Sequence, residues 1–167
     1  MRTDIVVRQA RAEEAEEISA LALRSKSHWG YDEEFLRACR DELTVTPEMC
    51  TSGTVRVAVQ DTRILGYHRL AGSPAHGELS ALFVDLEVIG HGIGGVLLED
   101  ALALATARGF RSLVLDADPG AELFYRRFGA VRLGESPSGS IPGRTLPRLR
   151  FDLTTGTTPS QRRAEDG

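Results

Sequence analysis

Four glycines fall within six residues at Gly90-His91-Gly92-Ile93-Gly94-Gly95, between an apolar run and a stretch of helical periodicity. That cluster constrains the chain more than any other feature. Glycine reaches positive φ without steric cost and lets backbone come close to a ligand. A helix starting there points unpaired N–H groups outward, and its dipole adds about half a positive charge. Such a turn holds an anion, a phosphate above all, with no basic side chain. The point matters because the formal net charge is -4, from 20 basic and 24 acidic residues. Nucleic-acid binding needs a basic surface and is excluded as the main role. A polyphosphate ligand is not.

The segments around the turn read as one organised domain. Ile5–Arg8 is a short β-branched strand, followed by a helix over Ala12–Ser25 with acids at its start. Asp32 caps a second helix over Glu33–Leu43, and Pro47 to Gly53 reads as a loop. Thr54–Gln60, Arg63–Leu70 and Glu78–Val84 read as antiparallel strands joined by hairpin-length turns. Ile93–Arg108 is a helix stopped by Gly109, and Ser112–Asp116 has the β-branched look of a buried parallel strand. Asp118-Pro119 opens a short helix through Phe128, with Ala121, Phe124, Tyr125 and Phe128 as its buried stripe. Ala130–Leu133 and Leu149–Leu153 close the sheet across a turn-rich Gly134–Pro147. Residues 1–153 therefore form a single α/β domain, a mixed α+β sheet of about six or seven strands flanked by helices, while 154–167 is expected to be a disordered tail.

Two phosphate readings compete at the glycines. Gly90, Gly92 and Gly95 fit G-x-G-x-x-G, with Asp116 at the distance of a ribose-binding acid. The setting is wrong for a dinucleotide fold: antiparallel strands precede the glycines, and too little chain follows for repeated βα units. A Walker loop fails because no Gly-Lys-Ser/Thr follows.

The run Phe83-Val84-Asp85-Leu86-Glu87-Val88-Ile89-Gly90-His91-Gly92-Ile93-Gly94, with Phe124-Tyr125-x-x-Phe128-Gly129 after it, resembles the acetyl-CoA motif of the GNAT N-acetyltransferases. The resemblance spans roughly residues 3–153. It implies the GNAT fold, with a sheet splayed beside the motif strand. It also implies acetyl-CoA as cosubstrate, its pyrophosphate on backbone amides of Ile89, Gly90, His91, Gly92, Ile93, Gly94 and Gly95. Phe83 and Val84 offer strand-edge groups to the pantetheine arm. The chain departs from the motif at three places. Ile89 stands where the family has Gln or Arg, Leu86 where a proline is frequent, and Asp118 where an asparagine is. Backbone donors survive the first two changes, and Asp118 is better explained as a helix cap.

The resemblance implies chemistry as well. Tyr125 matches the tyrosine that protonates the departing thiolate, and Glu78 is the best candidate for the base that frees the attacking amine. His76 and His28 are weaker alternatives. Trp29 and Tyr31 between the first two helices, and Ser140 in the crossing before the last strand, are candidates for the acceptor site. The expected activity is direct acetyl transfer to a primary amine of a small molecule or peptide. The alternative from another class is a non-catalytic CoA-binding sensor or partner domain. No histidine or cysteine spacing suggests a metal, and Cys39 and Cys50 cannot form a disulfide framework. Without a signal peptide or a membrane-length apolar run, the expectation is a soluble cytoplasmic protein that acts on neither nucleic acid nor membrane. Homodimers are common among relatives of this kind.

Overall fold

A computed structural model of the chain describes residues 5–27, 32–138 and 143–154. Trp29, Tyr31 and Ser140, and the tail beyond Thr154, lie outside the described residues. Seven strands form one sheet: β1 (Val6–Gln9), β2 (Val55–Gln60), β3 (Arg63–Ser73), β4 (His76–Val84), β5 (Ser112–Asp116), β6 (Val131–Pro137) and β7 (Thr145–Asp152), ordered β1-β2-β3-β4-β5-β7-β6. β1 pairs antiparallel with β2, and β2 with β3. β4 and β5 pair in parallel, from His76 opposite Ser112 to Glu78 opposite Val114. β7 is antiparallel to β5 and β6. The helices are α1 (Ala15–Ser27), α2 (Glu33–Leu43), α3 (Pro47–Thr51), α4 (Ile93–Ala107) and α5 (Glu122–Arg127).

The chain divides into two compact units, Met1–Arg69 with Ala81–Leu98, and Leu70–Ser80 with Glu99–Gly167. In the first unit, strand alternation sends side chains to both faces. Val55, Val57, Val59, Ile64 and Tyr67 pack with Ile18 and Leu21 of α1, Cys39 and Leu43 of α2, and Cys50 of α3. Ala58 and Leu65 pack with Ile93 and Leu97 of α4 in a second cluster. Helices therefore cover the sheet of this unit on both sides. The β2–β3 register shifts after Ala58, which lies opposite Gly66 while Val59 lies opposite Ile64. Leu65 is the extra residue of that bulge. At the end of α1, the Lys26 ammonium stands 5.8 Å from the centroid of the Phe35 ring.

In the second unit, Leu113, Leu115, Leu149 and Phe151 on the strands are buried, as are Leu102, Ala105, Phe110, Tyr125 and Phe128. α4 ends as expected at Gly109, where φ is +90°. There Gly109 N–H donates to Thr106 O (3.1 Å) and Phe110 N–H to Ala105 O (3.0 Å), the paired bonds of a Schellman motif. Asp118 accepts the Gly120 N–H at 3.3 Å and so caps the turn before α5, the role its sequence context suggested.

Three expectations need correction. Pro47–Thr51 is a short helix rather than loop, because Thr46 accepts the Met49 N–H (3.2 Å) and Pro47 takes a first-turn position. The Gly134–Pro137 and Thr145–Pro147 segments are strand rather than turn, carried past Gly134 by a register shift between Arg132 and Gly134. The long first helix opens as a 3-10 turn over Ala12–Glu14 and continues to Ser27.

Candidate active site

The glycine cluster lies in the first unit, joined to β4 by successive turns. Asp85 ends the strand, a 3-10 turn follows over Leu86–Val88, and α4 begins at Ile93. Gly90 and Gly92 hold φ of +89° and +84°, and a Cβ built on either meets no atom within 4 Å. Both glycines are therefore required by conformation and face open space. The first backbone bond within α4 is Val96 N–H to Gly92 O at 3.2 Å. The N–H groups of Ile93, Gly94 and Gly95 precede that ladder, as the first amides of a helix do. His91 is different, since its N–H already donates to Val88 O at 3.2 Å. It helps build the turn, and its side chain is exposed.

Phe83 and Val84 are half-buried at the end of β4, and Ile89 is half-buried just before the glycines. β4 is held close to β3 here. A Cβ on Gly66 would stand 2.6 Å from the Phe83 carbonyl oxygen and 3.2 Å from Val84 Cα. Only glycine fits at that position, and nothing in the local sequence pattern marks it.

Glu78 and Tyr125 both lie in the second unit. Glu78 is exposed on β4 between the buried Gly77 and Leu79. Its neighbour His76 bonds Ser112 Oγ through Nδ1 at 2.7 Å. Tyr125 is buried on α5, its ring edge-on to Phe124 at 5.1 Å. Burial, and to a lesser degree the Asp118 carboxylate, push its phenol above the ordinary tyrosine range. The hydroxyl therefore keeps its proton at neutral pH. Asp116, the acid a dinucleotide would need, is paired with Arg148 at 2.9 Å.

Sequence reasoning missed Asp85 and Arg24. The buried Asp85 carboxylate accepts from Arg24 Nη2 of α1 at 2.9 Å and from the Glu87 N–H at 3.4 Å. An aspartate ending a strand signals a capped turn, but nothing local points to an arginine 61 residues earlier. Among the described residues no group of three or more His, Cys, Asp or Glu could hold a metal ion, and no helix is long and apolar enough to cross a membrane.

Comparison with known proteins identifies the family. Residues 10–138 match the family described as an acetyltransferase (GNAT) domain. The chain is 32% identical over 150 residues to the peptidyl-lysine N-acetyltransferase YjaB of Salmonella typhimurium, covering 88% of this chain and 97% of that protein. A GCN5-related N-acetyltransferase from Rhodopseudomonas palustris superposes with TM-score 0.75 at 23% identity, over 92% of this chain and 99% of that one. The PaiA N-acetyltransferase of Thermoplasma acidophilum, solved in complex with coenzyme A, gives 0.71 at 19% identity, over 89% and 99%. At those identities the two structures speak for the fold. The fold is that of an acetyltransferase, and the chain belongs to the GNAT family.

Proposed function

We propose that the protein transfers an acetyl group from acetyl-CoA to a primary amine in a ternary complex, with a lysine side chain of a protein or peptide as acceptor. The observation that carries the reading is the cradle. Two glycines at positive φ face open space immediately before three helix-start amides. That arrangement suits a diphosphate, and the coenzyme A complex of the Thermoplasma relative supports coenzyme A as the ligand. The lysine acceptor is supported by the peptidyl-lysine activity named for the Salmonella relative.

On this reading the amides of Gly92 to Gly95 bind the pyrophosphate, so the loss of a Gln or Arg at Ile89 leaves the main donors in place. Phe83 and Val84 align the pantetheine arm along β4. Acetyl-CoA supplies the activated thioester carbonyl. The neutral amine forms the new C–N bond and gives up a proton to Glu78, directly or through water. As the C–S bond breaks, the Tyr125 hydroxyl donates a proton to the departing sulfur. Its raised pKa keeps that phenol protonated and neutral near neutral pH. The buried free thiols Cys39 and Cys50, with no disulfide between them, suit a reducing compartment such as the cytoplasm.

The test is Tyr125→Phe, assayed by thiol release with lysine peptides and a panel of small amines. The expected loss is ~10²–10⁴ in rate, the usual contribution of a general acid, with coenzyme A still bound. Unchanged turnover removes Tyr125 from the mechanism. Saturable coenzyme binding by the native chain with no amine acetylated favours the sensor.

A further inference from the structure

The turn that carries the glycines is anchored at one residue. Asp85 is 6% exposed and is the one buried carboxylate among the described residues. Its N–H donates to Leu65 O at 2.8 Å, and its C=O accepts the Val88 N–H at 3.0 Å. Its Oδ1 accepts the Glu87 N–H at 3.4 Å, and its Oδ2 accepts Arg24 Nη2 at 2.9 Å. Val88 O then accepts the His91 N–H at 3.2 Å, and Gly92 O the Val96 N–H at 3.2 Å. Consecutive turns thus run from β4 to α4, each resting on the one before, and the first rests on Asp85.

A buried carboxylate without a partner is costly, so its charged bond to Arg24 ties α1 to this turn. Burial by itself would raise the Asp85 pKa. Arg24, the Glu87 N–H and the charge of Arg63 outweigh that and hold it below the usual carboxylate range, so the group is an anion at neutral pH. The nearby Arg63–Glu87 pair, at 2.7 Å, has an arginine about as exposed as Arg24 but a carboxylate that is 75% exposed against 9% for Asp85, so it is the more screened by solvent.

We propose that Asp85 and Arg24 form a positioning pair for the phosphate cradle. Asp85 fixes the Leu86–Val88 turn, whose continuation sets the Gly90–Gly95 amides, and Arg24 fixes Asp85 from α1. Neither side chain acts on the coenzyme directly. The inference rests on the reading of the cradle as the coenzyme site. Removing the pair therefore weakens coenzyme binding more than it slows the chemistry.

The experiment measures coenzyme A binding by calorimetry, kcat and KM for acetyl-CoA, and thermal melts, for Asp85→Ala, Asp85→Asn, Arg24→Gln and the double variant Arg24→Gln/Asp85→Asn. Arg63→Gln is the control. Asp85→Ala is expected to raise Kd for coenzyme A and KM for acetyl-CoA roughly tenfold or more, the scale of a coupled buried contact. Its kcat at saturation should fall by a smaller factor. Arg24→Gln shifts Kd in the same direction, and the double variant binds no more weakly than Asp85→Asn alone. A purely structural role lowers the melting temperature and the active fraction but leaves the Kd of the folded fraction unchanged. Native Kd in a cooperatively melting Asp85→Ala protein overturns the proposal. So do multiplying effects in the double variant, or an Arg63→Gln effect as large as that of Arg24→Gln. If Asp85→Ala does not fold, Arg24→Gln decides: native Kd there is equally fatal. A native chain that binds no coenzyme A sinks the coenzyme reading along with this one, whereas a native chain that binds it as well as the variants do sinks only the pair.

Discussion

Replacing Gly66 with alanine tests the packing that places β4 beside the cradle. The new Cβ would stand 2.6 Å from the Phe83 carbonyl oxygen, 2.9 Å from Leu97 Cδ1 and 3.2 Å from Val84 Cα. Leu97 can rotate its terminal methyl away. The carbonyl and the Cα belong to the backbone of β4 and can yield only if the strands part. Overpacking of this kind costs roughly 1–3 kcal/mol. Against it stands a gain of about 0.5–1 kcal/mol from removing a glycine inside a strand. The net expectation is a loss of about 1–2 kcal/mol, which for a chain of this size lowers the melting temperature by roughly 2–8 °C. Urea unfolding should show a lower midpoint with the same slope, since the surface exposed on unfolding hardly changes. Affinity for coenzyme A should fall as well, because the displaced segment is Phe83–Val84. A midpoint equal to or above the native one refutes the close approach on which this reasoning depends.

Two other perturbations probe separate parts of the molecule. Gly92→Ala meets no neighbouring atom but must hold φ near +84°, so it should cost about 1–2 kcal/mol in strain; its methyl stands in the open side of the cradle, and coenzyme affinity should drop well beyond what the melting temperature suggests. A stability loss with native affinity would show that the glycines serve the turn alone. Glu14 is held below its ordinary pKa by its bond to Arg8 (2.8 Å), against the opposing effect of burial, with help from the Arg11 N–H. A depressed carboxylate stabilises the fold above its unfolded pKa, and that contribution disappears as pH falls through the folded value. The urea midpoint should therefore be flat near neutrality and decline below about pH 4, near the unfolded glutamate value, with a shallower decline in Glu14→Gln; an identical acid slope in that variant removes Glu14 from the account.

What the sequence made legible was local. Asp32 before an apolar-periodic run announced α2, and the Asp32 carboxylate does accept the Phe35 N–H at 2.8 Å. Gly109 announced the end of α4, and Asp118-Pro119 the turn before α5, for the same reason: each signal and its consequence lie within a few residues. The cradle was legible because its glycines are adjacent in the chain. α3 was not, although Thr46-Pro47 is an acceptable helix start, because five residues are too few for a periodic signal. The continuation of β6 past Gly134 depends on a bulge that only the partner strand reveals. Gly66 and the Arg24–Asp85 bond were invisible for a stronger reason. Both depend on which strand or helix becomes the neighbour, and neither leaves a mark on adjacent residues.

The use of arginine for basic charge has a practical outcome for an enzyme of this kind. Guanidinium groups keep their protons and do not attack thioesters, so the ε-amine of Lys26, above the Phe35 ring at the end of α1, is the single side-chain amine on which one copy could leave an acetyl mark on another. Self-labelling of side-chain amines during assay is thereby confined to one residue, and peptide mass mapping separates it from a label on the α-amine and from modification of any added acceptor.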